Sequence, residues 1–281
     1  MRKKLKKRRK RIYLFIYIFC TIIVILSLIY ILNDKRLEYE DIKEKALLST
    51  VDLNKIENKI FTENVIENEL ITGDALVKEK VIHETERVLT VKELKKETPD
   101  IIGWIEIEET NINYPVLQGE DDDYYLTHNY KKEKTKNGAI FLTSKYNWNI
   151  SNNNYIIYGH NKMSSDQMFS DLLKYADEEF YNNHPIIRFT TEEDDKEYNI
   201  ISVFKARVYY KSEKNVFRYY NFINYESEEE YNSFINEAKK VSLYNIEETP
   251  KFGQELLTLI TCSYHTEDGR FVVIASEKNL F

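Results

Sequence analysis

A long uncharged apolar run at residues 12–32, directly behind a basic N-terminus, constrains this chain more than any other feature. Residues 2–11 read RKKLKKRRKR, and no charged residue follows them until Asp34. At about 1.5 Å of rise per residue, a helix over residues 12–32 is long enough to cross the roughly 30 Å hydrocarbon core of a bilayer. A cleavable signal peptide has a shorter apolar region and a small-residue cleavage site, which the following NDKRLEYE lacks. We therefore predict an uncleaved signal anchor that contacts membrane lipid through residues 12–32.

The basic residues also predict which side of the membrane each part occupies. Lys and Arg next to a membrane span stay on the cytoplasmic side, so residues 1–11 should form a cytoplasmic tail and the rest should lie outside the cell. Residues 33–90 are rich in charge, contain Gly73 as their only glycine, and carry apolar residues at a roughly helical spacing. We predict a single-pass protein of the cell membrane with a partly helical extracellular stalk at residues 33–90.

Composition and charge of the whole chain argue against several classes of function. The formal net charge of -7 argues against nucleic acid as a partner, because phosphate binding needs a concentrated basic face. The 22 Tyr and 14 Phe, with few Gly and Pro, indicate a packed domain rather than a low-complexity chain. No cluster of His and Cys has metal-ligand spacing, so the sequence predicts no metal and no other cofactor.

A change of hydrophobic period marks the start of a β-rich domain near residue 100. Thr90 and Glu93 match a capping box that begins a short helix, and Pro99 ends it. From Ile101 onward apolar and polar residues alternate, which predicts half-buried strands. Many short strands with few helices favour a closed or sandwich-like β architecture. Further strands are predicted at 139–142, 154–158, 186–189, 197–210, 255–262 and 270–276, and helices at 166–175 and 227–244. The second helix has a capping box at Ser227 and Glu230 and an apolar stripe of Tyr231, Phe234, Ile235, Ala238 and Val241.

The two cysteines have different predicted surroundings, which makes one of them informative. Cys20 lies inside the predicted span, so Cys262 has no possible intrachain disulfide partner in the exported part. An unpaired thiol in an exported protein indicates intermolecular pairing or a reactive group. A buried and inert cysteine is the alternative that this observation leaves open.

Three residues suited to acyl transfer lie at the ends of predicted strands: His160, Cys262 and Arg270. A thiolate can attack an amide carbonyl, and a cationic neighbour favours the thiolate over the thiol. A histidine can stabilise that thiolate and then protonate the departing amine. A guanidinium offers fixed donors to the oxyanion of the tetrahedral intermediate, and the backbone N–H of Ser263 is predicted as a second oxyanion donor.

Several separated motifs resemble those of sortases, and of class B sortases in particular. TLITC at 258–262 is similar to the TLxTC signature, and YGH at 158–160 with the later Arg270 completes the family's His–Cys–Arg order. The resemblance implies an eight-stranded closed sortase β-barrel within residues 91–281, with His160, Cys262 and Arg270 as its catalytic residues. Three longer stretches also look like class B: DIIGWIEIEETNINYPVLQ at 100–118, DDDYYLTHNY at 121–130 and IIYGHNKM at 156–163.

The resemblance also implies a reaction and its partners. A class B sortase-like cysteine transpeptidase, a thiol protease in its cleavage step, would cut the C-terminal sorting signal of a surface protein after its Thr. It would hold the fragment as a thioester on Cys262 and pass it to an amine of a peptidoglycan precursor in a Gram-positive cell wall. The signal would be NPQTN-like or another motif containing Pro and Thr. Leu126, Tyr158 and Ile260 fall where the family lines its peptide groove, which the segment 225–246 would help to form, although core packing explains these residues equally well.

Alternatives remain open for both the function and the base. A pilin-type sortase is disfavoured, since nothing after Phe271 resembles a membrane segment and no DP-aromatic lid motif occurs. An unrelated L,D-transpeptidase would carry a glycine beside its nucleophile, and a membrane-tethered binding module without catalysis is the non-enzymatic alternative. His265, three residues beyond Cys262, is a rival to His160, whereas His128 is expected to make structural hydrogen bonds.

Overall fold

The computed structural model describes residues 19–30, 32, 35–36, 90–150, 154–162 and 166–278. The chain divides into two compact units, residues 1–47 and 48–281. Residues 19–30 are helical, and within the described residues no helix combines the length and apolar character that crossing a bilayer requires. The predicted tail at 1–11, the first third of the predicted anchor and nearly all of the predicted stalk at 33–90 lie outside the described residues.

Eight strands form the framework of the second unit, and they close into a barrel as the motifs implied. Their bounds are β1 Ile101–Glu106, β2 Asn113–Gln118, β3 Ile140–Leu142, β4 Asn154–Tyr158, β5 Ile186–Thr191, β6 Asp195–Arg207, β7 Leu256–Cys262 and β8 Gly269–Glu277. Around the barrel they follow the order β1-β2-β3-β4-β7-β8-β6-β5. The pairs β2–β3 and β4–β7 are parallel, and the others are antiparallel. The β4–β7 pair joins two strands that are distant in sequence.

Strand β7 is apolar along most of its length because both of its faces are buried. Successive side chains of a strand point to opposite faces. Leu257 and Leu259 belong to the cluster that fills the barrel, whereas Leu256 and Ile260 pack in a second cluster on its outer side. Each fully buried side chain of this type contributes about 1.5–3 kcal/mol. Burial on both sides thus fixes β7 and the residues at its end.

Three α-helices accompany the barrel in the described part of the second unit: α1 Val91–Glu97, α2 Glu178–Asn183 and α3 Glu228–Lys240. The predicted capping box of α1 is confirmed. The Glu93 N–H donates to Thr90 Oγ1 at 3.3 Å, and the Thr90 N–H donates to a Glu93 carboxylate oxygen at 3.0 Å. Short 3₁₀ helices lie at Tyr124–Leu126, Ser170–Ala176 and Tyr219–Asn221.

Helix α3 provides the outer cover of the barrel next to β6 and β7. The predicted apolar stripe is buried at Tyr231, Phe234, Ile235 and Ala238, but Val241, also predicted to be part of it, is 38% exposed. The helix ends at Lys240 rather than at the predicted residue 244. The chain leaves the helix there because it bonds to β6 instead, where the Leu243 N–H donates to the Val203 carbonyl at 2.7 Å.

The second capping box is only half present. The Glu230 N–H donates to Ser227 Oγ at 3.2 Å, as predicted. The reciprocal bond, from the Ser227 N–H to the Glu230 carboxylate, is replaced by one from the Glu226 N–H to that carboxylate at 3.2 Å. Of the two hydrogen bonds that define a capping box, only the bond from the Glu230 N–H to the Ser227 side chain is therefore formed.

Two other predicted elements differ from the structure. The helix predicted at 166–175 is a 3₁₀ helix at Ser170–Ala176, and α2, which follows it after the cap residue Asp177, was not predicted. Strand β6 was predicted at 197–210 but ends three residues earlier. Its partner β8 begins at Gly269, so no strand is left to pair with the residues beyond that point.

An ion pair at the β5–β6 hairpin links barrel stability to pH. Arg188 donates to both carboxylate oxygens of Asp195, at 2.9 and 2.5 Å, and Thr190 Oγ1 donates to the same carboxylate at 2.7 Å. Burial by itself would raise the pKa of Asp195, but the hydrogen bonds from Arg188 and Thr190 outweigh it and lower the pKa below its ordinary value of 3.8. A carboxylate with a lowered pKa stabilises the fold above its unfolded pKa, and this contribution is lost as pH falls through the folded pKa.

We expect Asp195→Asn to lower the melting temperature at about pH 7 and to cost less at about pH 3, which lies below the unfolded pKa, because part of the wild-type contribution is lost as pH falls toward the folded pKa. Thermal unfolding at the two pH values measures this difference. Asp194→Asn is the matched control, because Asp194 is exposed and lies 3.7 Å from Lys196 without a buried partner. A deficit for Asp195→Asn that is equally large at both pH values would contradict the assignment.

Candidate active site

The antiparallel pairing of β7 and β8 places Cys262 beside Arg270. Cys262 is the last residue of β7, and its backbone is directly opposite that of Arg270 in the pair. A turn over residues 263–268 joins the two strands, and the Ser263 N–H donates to the Gly269 carbonyl at 2.9 Å. A Cβ on Gly269 would lie 2.1 Å from the Ser263 carbonyl oxygen, so the turn can close in this form only with glycine there. The predicted nucleophile and the predicted cation are thus neighbours across a sheet.

The parallel pairing of β4 and β7 brings His160 to the same end of the barrel. Tyr158, the last residue of β4, pairs with Ile260, two residues before the nucleophile. The Gly159 N–H then continues the ladder by donating to the Ile260 carbonyl at 3.1 Å. His160 follows directly, so the register of this pair determines where the imidazole stands relative to Cys262.

Two side chains also fasten the backbone on either side of His160 to β7. The buried Thr261 hydroxyl donates to the Gly159 carbonyl at 2.7 Å. On the other side, Asn161 Nδ2 donates to the carbonyl of Cys262 at 3.0 Å. The histidine is therefore held between two anchored residues, both bonded to the strand that carries the cysteine.

All three predicted catalytic residues line one cavity of about 280 Å³. The three residues predicted to contact substrate, Leu126, Tyr158 and Ile260, line it as well. The remaining lining residues are Asp122, Phe141, Gly159, Val208, Tyr219, Tyr220 and Thr261. Most of the wall is aromatic or aliphatic, with the charged and reactive groups set into it, which suits a peptide-sized ligand.

The hydrogen bonding of His160 shows which ring nitrogen can exchange a proton. His160 Nε2 lies 2.7 Å from the carbonyl oxygen of Leu126. A carbonyl can only accept, so Nε2 carries a hydrogen and donates it, which leaves Nδ1 to take up and release a proton. Within the described residues no hydrogen bond joins the imidazole to the half-buried, free thiol of Cys262. Catalytic hydrogen bonds often tighten only when substrate is bound.

Arg270 keeps its positive charge available to the cavity. Its Nη1 donates to the carbonyls of Gly269, at 2.9 Å, and Asp268, at 3.2 Å, which orient the guanidinium without neutralising it. No ion pair joins it to a carboxylate in the described part of the chain. Burial raises the pKa of Tyr158 to about 12, the negative charge of Asp122 acts in the same direction, and the positive charge of Arg270 opposes both.

The predicted role of Ser263 does not fit this geometry. Its N–H already donates to the Gly269 carbonyl within the turn, so it is not available to an oxyanion in this structure. Ser263 also does not line the cavity that holds Cys262; it lines a neighbouring one. Arg270 remains as the predicted oxyanion donor whose side chain faces the right cavity.

The role predicted for the segment 225–246 in a peptide groove stays a prediction. None of its described residues lines the cavity, because α3 packs against the outer face of β6. The wall is formed instead by Val208, Tyr219 and Tyr220, which belong to the connection before α3. No local pattern marks these three residues, whereas Asp122 stands in the acidic run four residues before Leu126 and could have been proposed from it.

The other histidines have separate positions. His265, the rival base, lines the neighbouring cavity of about 510 Å³, and its Nδ1 lies 2.9 Å from Ser263 Oγ. Burial, with the positive charge of Lys205, lowers the pKa of His265. The structural role predicted for His128 is confirmed, since its Nδ1 lies 2.9 Å from the Tyr124 carbonyl oxygen and its ring stacks on that of Tyr124.

Comparison with known proteins agrees with this geometry. A family model, the sortase domain, matches residues 105–278. Sortase B of Listeria monocytogenes is 32% identical over 185 residues, which cover 65% of this chain and 72% of that protein. A Staphylococcus aureus sortase B–substrate complex is 29% identical, with a TM-score of 0.59 over 68% of this chain and 85% of that one. A sortase B complexed with triglycine has 29% identity and a TM-score of 0.60, over 68% and 86%. The chain belongs to the sortase family and, within it, to class B.

Proposed function

We propose that this sortase cleaves a C-terminal sorting signal after its Thr, forms a thioester on Cys262 and transfers the fragment to an amine of a peptidoglycan precursor. The observation that carries the proposal is the meeting of Cys262, His160 and Arg270 in one cavity with an apolar wall. The similar sortase B structures were solved with a substrate and with triglycine, a short peptide that carries a free amine. Both partners of a transpeptidation thus have a counterpart among the relatives.

The first half of the reaction makes the thioester. The Cys262 thiolate attacks the carbonyl carbon of the Thr, and the negative charge moves to the carbonyl oxygen. The guanidinium of Arg270, which is oriented by its hydrogen bonds to the Asp268 and Gly269 carbonyls, donates to that oxyanion. When the intermediate collapses, the C–N bond breaks and His160 gives the Nδ1 proton to the leaving amine. The product is an acyl group on sulfur and a shortened peptide.

The second half transfers the acyl group and restores the enzyme. The acceptor amine attacks the thioester carbonyl, a C–N bond forms and the C–S bond breaks. His160 takes the proton that the amine loses, and sulfur leaves as the thiolate. The apolar wall of Phe141, Tyr158 and Tyr219 keeps water away from the thioester, which favours aminolysis over hydrolysis.

The proposal also includes the location of the enzyme. Residues 12–32 anchor the chain in the cell membrane, with residues 1–11 in the cytoplasm and the catalytic domain outside. The support is the uncharged run behind the basic residues at 2–11.

A membrane-impermeant maleimide should label Cys262 in intact cells, because the anchored domain is exported. The measurement is the mass shift of the peptide that contains residue 262, and a Cys262→Ala protein controls for labelling elsewhere. Labelling that appears only after the cells are lysed would place the domain inside and overturn this part of the proposal.

Replacing Cys262 with Ala should abolish both the thioester and turnover, because Cys262 is the only thiol in the described cavity lining. Incubation with a sorting-signal peptide and an amine acceptor, followed by mass spectrometry of the protein and products, measures both. The chain supplies its own control in Cys20→Ala, which removes the other free thiol and should retain wild-type activity. Turnover by Cys262→Ala at the wild-type rate would exclude the mechanism, whereas a wild-type Cys262 that never acylates would favour a binding module.

Arg270→Lys should lower kcat by about 10²–10³ with little change in melting temperature, because lysine keeps the charge but loses the planar, fixed donors. Steady-state kinetics and thermal unfolding separate the two effects. Arg188→Lys is the matched control, since Arg188 binds Asp195 away from the cavity lining and should affect stability rather than turnover. Near-normal kcat for Arg270→Lys would remove this residue from oxyanion stabilisation.

A further inference from the structure

The carbonyl that accepts the imidazole hydrogen of His160 belongs to a short helix with its own support. Leu126 is the last residue of the 3₁₀ helix Tyr124–Leu126, and its carbonyl oxygen lies 2.7 Å from His160 Nε2. The same peptide unit carries the Thr127 N–H, which donates to the Tyr124 carbonyl at 3.2 Å. Because a peptide unit is planar, the direction of the Leu126 carbonyl follows that of this N–H. The position of the acceptor therefore depends on how the 3₁₀ helix is held.

The side chain of Tyr125 attaches this helix to the start of the barrel. It is fully buried, and its hydroxyl donates at 2.5 Å to a carboxylate oxygen of Asp100, the residue before β1. The same oxygen lies 2.8 Å from Lys132 Nζ. Burial by itself would raise the pKa of Asp100, but the hydrogen bonds from Lys132 and Tyr125 outweigh it and lower the pKa. The carboxylate is thus charged at neutral pH, and the bond from Tyr125 is charge-assisted.

The phenol of Tyr125 remains a donor under the same conditions. Burial, together with the hydrogen bond to Asp100, raises the pKa of Tyr125 above its ordinary value of 10.0. A phenol with a raised pKa keeps its proton at neutral pH. The bond between Tyr125 and Asp100 therefore has one defined direction, from hydroxyl to carboxylate.

The backbone before β3 supports the helix from another side. The Ala139 N–H donates to the Tyr125 carbonyl at 2.8 Å. Gly138 has a φ of +61°, and a Cβ on it would lie 2.5 Å from the Tyr125 carbonyl oxygen and 2.7 Å from that of Leu126. Such a close approach requires glycine. These contacts are made by backbone atoms, so the bond from the Tyr125 hydroxyl is the support that a side-chain substitution can remove by itself.

Tyr125 is placed to act on His160 without meeting a ligand. It is not among the described residues that line the catalytic cavity, whereas Leu126 and His160 are. Its ring belongs to the cluster of Ile101 and Trp104, which is separate from the cluster that fills the barrel. A change confined to the Tyr125 hydroxyl therefore leaves the cavity lining unchanged in composition and alters the support behind the Leu126 carbonyl.

We propose that Tyr125 and Asp100 are positioning residues that hold the Leu126 carbonyl where it selects the Nε2–H tautomer of His160. With that carbonyl in place, Nδ1 has the lone pair that takes up the proton of the acceptor amine. When the carbonyl turns away, the ring loses its acceptor and can carry its hydrogen on Nδ1 instead, where that lone pair is lost. The proposal rests on the transpeptidase function proposed above and adds two residues to it.

Kinetics of hydroxyl and carboxylate variants test the effect on turnover. Tyr125→Phe keeps the buried ring and should lower kcat about tenfold with less than about a twofold change in KM, because it disturbs proton transfer and not the cavity lining. Asp100→Leu should lower kcat as far, and the double variant no further, because the two residues act as one unit. Asp100→Asn keeps an oxygen that can accept the Tyr125 hydroxyl and should retain most of kcat.

Tyr225→Phe is the matched control for the loss of a buried phenol. Tyr225 is 2% exposed, its hydroxyl donates to the Gln254 carbonyl at 2.8 Å, and it is not among the described lining residues. We expect this variant to retain wild-type kcat and KM.

Imidazole ¹⁵N spectra supply a readout that a merely structural role would not move. The full chain with Cys262→Ala, which removes the thiolate charge, is labelled with ¹⁵N-histidine, and the His160 signals are identified by their absence in His160→Gln. Long-range ¹H–¹⁵N correlations at about pH 9, where an ordinary histidine is neutral, distinguish a hydrogen on Nε2 from one on Nδ1. We expect the Nε2–H form in the parent and with Tyr225→Phe, and a mixture of both forms with Tyr125→Phe.

The tautomer decides the outcome. An unchanged Nε2–H form in folded Tyr125→Phe would contradict the inference, whatever the kcat of that variant. If Tyr125→Phe does not fold, the same spectrum of Asp100→Leu decides by the same criterion. A wild-type protein that never acylates Cys262 would instead overturn the proposed function, while the spectra would still test whether the Tyr125 hydroxyl sets the tautomer of His160.

Discussion

Strand β7 is bonded to β8 on one side and to β4 on the other, and the catalytic cavity depends on this double pairing. The antiparallel side sets Cys262 against Arg270. The parallel side sets the end of β4 two residues before the cysteine, from where Gly159 and Asn161 tie the histidine to the same strand. Because backbone ladders hold the strands and both faces of β7 are buried, the three groups lie on rigid elements, as a preorganised site requires.

The apolar wall of the cavity comes partly from elements that carry none of the three candidate catalytic residues. Its apolar wall comes from β3, β4 and β7 and from two connections, of which the one before α3 supplies Val208, Tyr219 and Tyr220. Helix α3 covers part of the outer face of the barrel, but none of its residues belongs to the described cavity lining. In the proposed mechanism, catalysis is thus built on strand ends and recognition largely on connections. This division lets the substrate preference change without disturbing the ladders that hold the nucleophile.

Local chemistry predicted well wherever a short pattern decides the outcome. The cap at Thr90 and Glu93, the apolar stripe of α3 and the strands from residue 101 onward depend on neighbours in sequence, and they are present. Prediction was weaker where a distant partner decides. Strand β6 ends where β8 begins, α3 ends where Leu243 bonds to Val203, and the Ser263 amide is taken by Gly269. None of these partners can be read from the residues beside them.

By itself, the sequence determined the family, the order of strands along the chain and the three candidate catalytic residues, because these rest on ordered motifs and on residue chemistry. Tertiary structure alone decided that His160 presents Nδ1, since the Leu126 carbonyl that takes Nε2 is 34 positions away in sequence. It also decided that the Ser263 amide is already bonded to Gly269, that Arg270 lines the cavity and that Asp122 stands in the cavity wall. The physical reason is the same in each case. A hydrogen bond or a shared cavity depends on distance in space, which the closure of the barrel sets and local sequence does not.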